Sequence, residues 1–266
     1  VDYVVVIHPE YTLYWCAAIA VSALLAIATA GRERRAAFYV FKPLTTLLIL
    51  GLALTQPASF DLHPFYRPLV AAGLACSLAG DVLLMLRRER FVAGLVAFLI
   101  AHLLYIRAFT LDGVQATWWI VLPLAAYAAV LLRILLPHVG AKLKVPVTVY
   151  ALVLLAMAWA AAERCAAGLP GGTFAAAGGL LFVASDSALA INRFARPFRG
   201  ADVVILATYY AAQTLIALSI RWSPDLYTGF RDRLCVPSAY LSRLAIDPSA
   251  CQVLARSRDV TWPASG

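Results

Sequence analysis

The chain has 266 residues and 22 Lys and Arg against 14 Asp and Glu, for a net charge of +8, yet 63% of it is hydrophobic and only 14% charged. A soluble domain is about half apolar and a quarter charged, so the composition, with a mean hydropathy of +0.82, excludes a soluble globular module and reads as a polytopic membrane protein. The positive charge then belongs first to topology, since a nucleic-acid partner would need a basic face on a soluble module and none is visible.

A spanning helix needs about 20 apolar residues. In chain order, eight stretches qualify: 12–30, 38–55, 66–86, 91–110, 117–136, 145–164, 171–191 and 201–220. The N-terminus lacks a basic region and a small-residue cleavage site, so the first stretch reads as a retained span. The connections are short, which makes neighbouring helices antiparallel and residues 1–222 one all-α bundle. Arg32, Arg34 and Arg35 follow span one, Arg87, Arg88 and Arg90 span three, Lys142 and Lys144 span five, and Arg193, Arg196 and Arg199 span seven. The opposite short loops carry Arg67, Arg107 and Arg164. Basic loops face the cytoplasm, so both termini are expected outside it, with the protein in the cell membrane, here the bacterial inner membrane. Beyond Ser223, prolines and acids punctuate a stretch without long apolar runs, and 223–266 reads as a polar extramembrane tail, partly disordered. Cys235 and Cys251 could pair there in an oxidising compartment. Cys16, Cys76 and Cys165 read as small buried apolar residues.

Of the acids, only Asp81 and Asp186 lie deep inside apolar runs, in the similar contexts SLAGDVLLML and VASDSALAINRF. An acid in hydrocarbon costs about 2.5–3.5 kcal/mol on insertion scales and normally faces a bundle interior or a wet cavity. Asp81 precedes Arg87 by six residues and Asp186 precedes Arg193 by seven, which sets both about 10 Å inside the basic ends of their spans. Lys42 lies seven residues past Arg35, at a similar depth. Tyr209 and Tyr210 lie about ten past Arg199, and His102 and Tyr105 a turn or two deeper. These residues can meet in one layer of the cytoplasmic half.

A weak internal repeat agrees. Lys42-Pro43 precedes Asp81 by about the separation of Val145-Pro146 from Asp186, and each acid is followed 24 residues later by a tyrosine, Tyr105 or Tyr210. A parallel four-plus-four duplication would bring the two acids face to face. Against a site stand plainer readings. Lys42 could pair with an acid for structure alone, and His102 could be an ordinary core histidine. Tyr39, Tyr105, Tyr150, Tyr209 and Tyr210 could belong to the interfacial aromatic belt, a reading that fits those near midspan less well, and Pro43 and Pro146 could be first-turn prolines. Ser77, Ser185 and Ser187 and the span glycines could simply pack helices. A three-histidine zinc site is disfavoured because only His102 lies in the bundle, and no GxSxG elbow, HExxH helix or GxxxxGK loop is present.

The blocks YVFKPLTTLLIL, GLACSLAGDVLLML, FVAGLVAFLIAHLLYI, GGLLFVASDSALAINRF and LATYYAAQTLIALS, in this order across residues 36–220, resemble the YhhN-like family of membrane proteins, the lysoplasmalogenases. The resemblance implies hydrolysis of the vinyl ether bond of a lysoplasmalogen to a fatty aldehyde and a glycerophospho-ethanolamine or -choline, with no cofactor and no metal. It also implies that Asp81 and Asp186 are the catalytic acids and that Lys42, His102, Tyr105, Tyr209, Tyr210, Gln213 and Asn192 bind substrate, although Asn192 could only cap a helix. The partners so implied are the lysophospholipid and the bilayer; no oligomeric state follows.

The chemistry suits two carboxyls. A protonated one delivers a proton to the β-carbon of the vinyl ether, and an ionised one stabilises the oxocarbenium ion or activates the water that captures it. Two nearby carboxyls in a low dielectric do not readily both ionise. Lys42 could keep Asp81 charged, leaving Asp186 as donor, or could bind the substrate phosphate instead. Midmembrane acids with a lysine and a histidine also fit a proton-coupled transporter, and a non-catalytic lipid-binding protein is a third reading. Broken helices beside the acids would favour transport; a lipid-shaped pocket ending at both acids would favour the enzyme.

Overall fold

The computed structural model describes residues 10–30, 35–56, 62–86, 90–113 and 115–220. Eight helices follow one another: α1 Glu10–Thr29, α2 Arg35–Thr55, α3 Tyr66–Met85, α4 Phe91–Phe109, α5 Trp118–Leu135, α6 Ala141–Ala166, α7 Gly172–Ala190 and α8 Ala201–Leu218. All eight are long and apolar enough to cross a membrane, and no strand occurs among the described residues. The protein is an all-α, multi-pass membrane protein. Arg32, Arg34, Arg87, Arg88 and the tail with Cys235 and Cys251 lie outside the described residues.

The helices coincide with the apolar stretches, except that α2 and α6 begin earlier, at Arg35 and Ala141. Their polar first turns extend the helix beyond the apolar run. Pro43 and Pro146 consequently sit inside helices rather than in first turns, and the carbonyls of Tyr39 and Lys142 lose their i+4 donor. Such gaps are tolerated in spanning helices when neighbours re-satisfy the backbone. After Ala190, α7 continues through a π-helical turn, Ile191–Ala195.

Lipid tails are as apolar as a leucine core, so close approach rather than hydrophobicity draws spanning helices together. Glycine sets that approach at two seams. A Cβ on Gly80 of α3 would stand 2.6 Å from the Phe98 ring of α4, and one on Gly178 of α7 would stand 2.9 Å from the Ala212 carbonyl of α8. Large side chains such as Leu13, Leu24, Leu54, Val145, Leu152 and Leu180 are exposed on the outside of the bundle, as a lipid-facing wall requires.

At the bundle end away from the two acids, Arg164 is a buried residue of α6 rather than a loop charge. Its guanidinium meets Asp112 at 2.6 Å, donates through Nε to the Pro170 carbonyl at 3.1 Å, and lies 4.4 Å over the Tyr66 ring. The Tyr66 hydroxyl in turn pairs with Ser219 at 2.8 Å. This cluster ties α3, α6 and the end of α8 together.

Candidate active site

Asp81 and Asp186 occupy matching places. Asp81 lies four residues before Met85, the last residue of α3, and Asp186 four before Ala190, the last of α7. Each therefore sits about one helical turn inside its helix end, with its backbone groups already bonded within the helix and its side chain turned to the interior.

Asp81 is 1% exposed and surrounded by donors. Lys42 Nζ of α2 stands 3.3 Å from Oδ1. Thr46, one turn along the same helix, donates its hydroxyl to Oδ2 at 2.6 Å, and Tyr209 of α8 donates to the same oxygen at 2.8 Å. Behind Tyr209 the network continues. Gln213 donates through Nε2 to the Tyr209 hydroxyl at 3.3 Å and accepts the Tyr105 hydroxyl at 2.8 Å. Donors aligned head to tail polarise one another in a low-dielectric interior. Three donors converging on one carboxyl match an ionised carboxylate, which can only accept.

Asp186 has a sparser shell. Among the described residues its hydrogen-bond partner is Tyr150 of α6, which donates its hydroxyl to Oδ2. No salt bridge to Asp186 occurs among the described residues. The neighbouring serines are engaged elsewhere. Ser185 donates to the Ile205 carbonyl at 3.0 Å, and Ser187 accepts the Tyr127 hydroxyl at 2.7 Å. His102 is fully buried, with its ring edge-on to Phe182 at 4.7 Å and Tyr150 at 5.3 Å, and neither ring nitrogen has a hydrogen-bond partner among the described residues.

Both acids line one cavity, whose empty space is about 880 Å³ counting the open mouth. Its polar end holds Lys42, Asp81, Asp186, Tyr150 and Tyr209. Its walls are Leu84, Leu95, Phe98, Leu131, Leu135, Val147, Leu154 and Leu206, drawn from five helices. Phe91, Arg193 and Phe194 line it beside the π turn, where the Arg193 guanidinium lies 3.7 Å over the Phe91 ring. Among the described residues no three His, Cys, Asp or Glu side chains cluster as a metal site would need.

Of the residues read from the sequence, Lys42, Asp81, Asp186 and Tyr209 line the cavity together. Tyr105 and Gln213 stand behind Tyr209 in its hydrogen-bond chain, and Tyr210 packs beside the Tyr209 ring at 5.3 Å. His102 backs Tyr150. Asn192 lies in the π turn, where its Oδ1 accepts the Phe198 amide at 3.2 Å and holds the link to α8. Two residues beside the acids escape a reading of the sequence. Thr46 could have been found, being one turn from Lys42 on the same helix face. Tyr150 resembles a belt aromatic by position, and nothing local in the sequence ties it to Asp186.

The YhhN family model matches residues 37–220. Human lysoplasmalogenase TMEM86B is 40% identical over 159 residues, covering 60% of this chain and 66% of the human protein, and its counterpart in Sus scrofa is 39% identical. The chain thus spans about two thirds of the length of these mammalian relatives. The uncharacterized membrane protein YhhN of Escherichia coli O157:H7 is 33% identical over 210 residues, which cover 76% of this chain and 96% of that protein. No solved structure matches the chain significantly.

Proposed function

The chain belongs to the YhhN family, and from that premise we propose that it is a lysoplasmalogenase-like ether hydrolase. Its substrate is a lysoplasmalogen, a 1-alkenyl-glycerophospho-ethanolamine or -choline, and its products are a fatty aldehyde and the glycerophospho head group. Relatives named lysoplasmalogenase support the substrate class. The observation that carries the reaction is the unequal pair of carboxyls at the end of one apolar cavity: Asp81 beside a lysine and two hydroxyls, Asp186 beside one hydroxyl.

Asp186 is the general acid in this reading. Its Oδ2 accepts from Tyr150, so the acid proton sits on Oδ1. That proton is transferred to the β-carbon of the vinyl ether as the double-bond electrons take it up, and the α-carbon becomes an oxocarbenium ion. Asp81, ionised beside Lys42, stabilises the cation and takes a proton from the water that adds to the α-carbon. The hemiacetal then collapses: its hydroxyl proton passes to Asp186, the C–O bond to glycerol breaks, and the glycerol oxygen takes the proton held by Asp81, which restores both carboxyls. Preorganised charge of this kind acts most strongly where water is excluded, and the logic resembles that of glycosidases by analogy only.

The alkenyl chain lies along the leucine and phenylalanine walls, and the basic loops beside the acid ends support a cytoplasmic position for them. α3 and α7 run unbroken through both acids, which fits a hydrolase better than the broken helices of many carriers. The test is aldehyde release from 1-alkenyl-glycerophosphoethanolamine by purified protein. Wild-type activity with loss in Asp186→Asn supports the reading; a folded wild-type protein that releases no aldehyde overturns it.

A further inference from the structure

α5 is the peripheral wall of the cavity. Of its 18 residues only Ala128, Leu131 and Leu135 are buried, one narrow stripe at helical spacing, while Leu122, Tyr127, Val130 and Ile134 are exposed on its outer side. Leu131 and Leu135 line the cavity. They belong to a small apolar cluster separate from the main core, with Val139 and Val147 and, across the seam to α7, Ala190, Ile191 and Phe194.

We propose that α5 is a lateral door, hinged along α6 and latched to α7 by the Tyr127–Ser187 bond, through which a single-chain lipid moves sideways between the bilayer and the acids. The lipid rests on the vinyl ether reading above; the door's own readout needs no turnover. The hinge edge is α6. At the end away from the acids Thr117, the residue before α5, gives its amide and its hydroxyl to the two carboxylate oxygens of the buried Glu163 of α6, at 2.7 and 2.8 Å. At the other end the short turn 136–140 carries the chain from α5 directly into α6. The free edge faces α7. There Tyr127 donates its hydroxyl to Ser187 at 2.7 Å, the residue that follows Asp186 in the chain.

Lipid tails and the leucine seam are equally apolar, so parting α5 from α7 exchanges one set of apolar contacts for another at little cost. The Tyr127–Ser187 bond has no such replacement, because hydrocarbon offers the freed hydroxyls no partner. That bond is therefore the latch that holds the door closed. Its opening leads straight to the acid, since Leu131, Leu135, Ser187 and Asp186 line the same cavity. A lipid that enters here keeps its chain in hydrocarbon throughout. One that enters by the cavity's open mouth must draw each methylene through water, against the hydrophobic effect.

The experiment follows binding and release of 1-O-hexadecyl-glycerophosphoethanolamine, an ether lipid without the double bond and so not a substrate, by the full chain in mixed micelles. Tyr127→Phe removes the latch and is expected to speed both entry and release at least threefold, with Kd within twofold, because both directions cross the same door. For the converse, the five native cysteines are replaced by alanine, and Tyr127→Cys and Ser187→Cys are joined by a cleavable thiol linker. The linked protein should admit the hexadecyl lipid at least tenfold more slowly than the same protein after the linker is cut. It should still bind the water-soluble 1-O-butyl analogue through the mouth. Unchanged entry in the linked protein, equal slowing of both ligands, unchanged rates in Tyr127→Phe, or no binding of the lipid to the wild-type protein would each overturn the door. A shift of Kd carried by one rate alone would make Tyr127 a binding residue and overturn it too. Absence of aldehyde release with these kinetics intact would sink the hydrolase reading and leave the door standing.

Discussion

Replacing Lys42 by methionine removes a cation from a carboxylate that is 1% exposed. At their separation of 3.3 Å, the two charges attract by about 5 kcal/mol at an effective dielectric of about 20. Lys42 is itself only 12% exposed, so water screens little of this. The hydroxyls of Thr46 and Tyr209 remain on Asp81 and offset part of the loss, as does capture of a proton by the stranded carboxylate. Breaking a buried pair from one side typically costs about 3–5 kcal/mol, and the remaining donors put Lys42→Met near the lower end, about 3 kcal/mol. Asp81→Asn in the same background removes the stranded charge, so the double variant should lose only about 1–2 kcal/mol, against the larger sum that independent sites would give. Reversible unfolding by SDS in mixed micelles reads all four corners of the cycle. If Lys42→Met and Asp81→Asn add within about 0.5 kcal/mol, the pair is not coupled and the reasoning that keeps Asp81 ionised fails.

Three further outcomes follow from the same geometry. Tyr150→Phe removes the hydroxyl partner of Asp186; stability should fall by about 1 kcal/mol, while the rate of aldehyde release falls by about tenfold or more with little change in KM, as mutant kinetics would separate. Gly80→Val forces two methyl groups toward the Phe98 ring, 2.6 Å from the Cβ position, and should cost about 1–3 kcal/mol by overpacking, measured as a drop in the unfolding midpoint. Proton transfer to carbon is the demanding step of the proposed reaction, so aldehyde release should slow in D2O for the wild-type protein at saturating substrate.

Much of the fold could be read from the sequence because a bilayer imposes length. The stretch 66–86 became α3 Tyr66–Met85, and 201–220 became α8 Ala201–Leu218. Depth was legible too, since helical rise counted back from the arginines set Asp81 and Asp186 at one level, and one cavity contains both. What could not be read is azimuth. Lipid and core are both apolar, so residue type alone does not say which side of a span faces inward. Tyr150 therefore resembled a belt aromatic until α6 turned it onto Asp186. Arg164 reads as a loop charge and is instead buried in α6, paired with the loop residue Asp112 at the far end of the bundle. Arg193 counted only as a topological charge, because nothing in the sequence announces that α7 runs on through a π turn and carries that side chain to the cavity.

The most direct measurement of the central claim is aldehyde release from a defined lysoplasmalogen by wild-type protein, Asp81→Asn and Asp186→Asn, each shown to be folded in the same detergent. General acid–base groups contribute about 10²–10⁴-fold each, so either substitution should reduce the rate by at least about a hundredfold. Asp186→Asn should be the more severe, because it removes the proton donor itself. Turnover within about tenfold of wild type in both folded variants would contradict the account.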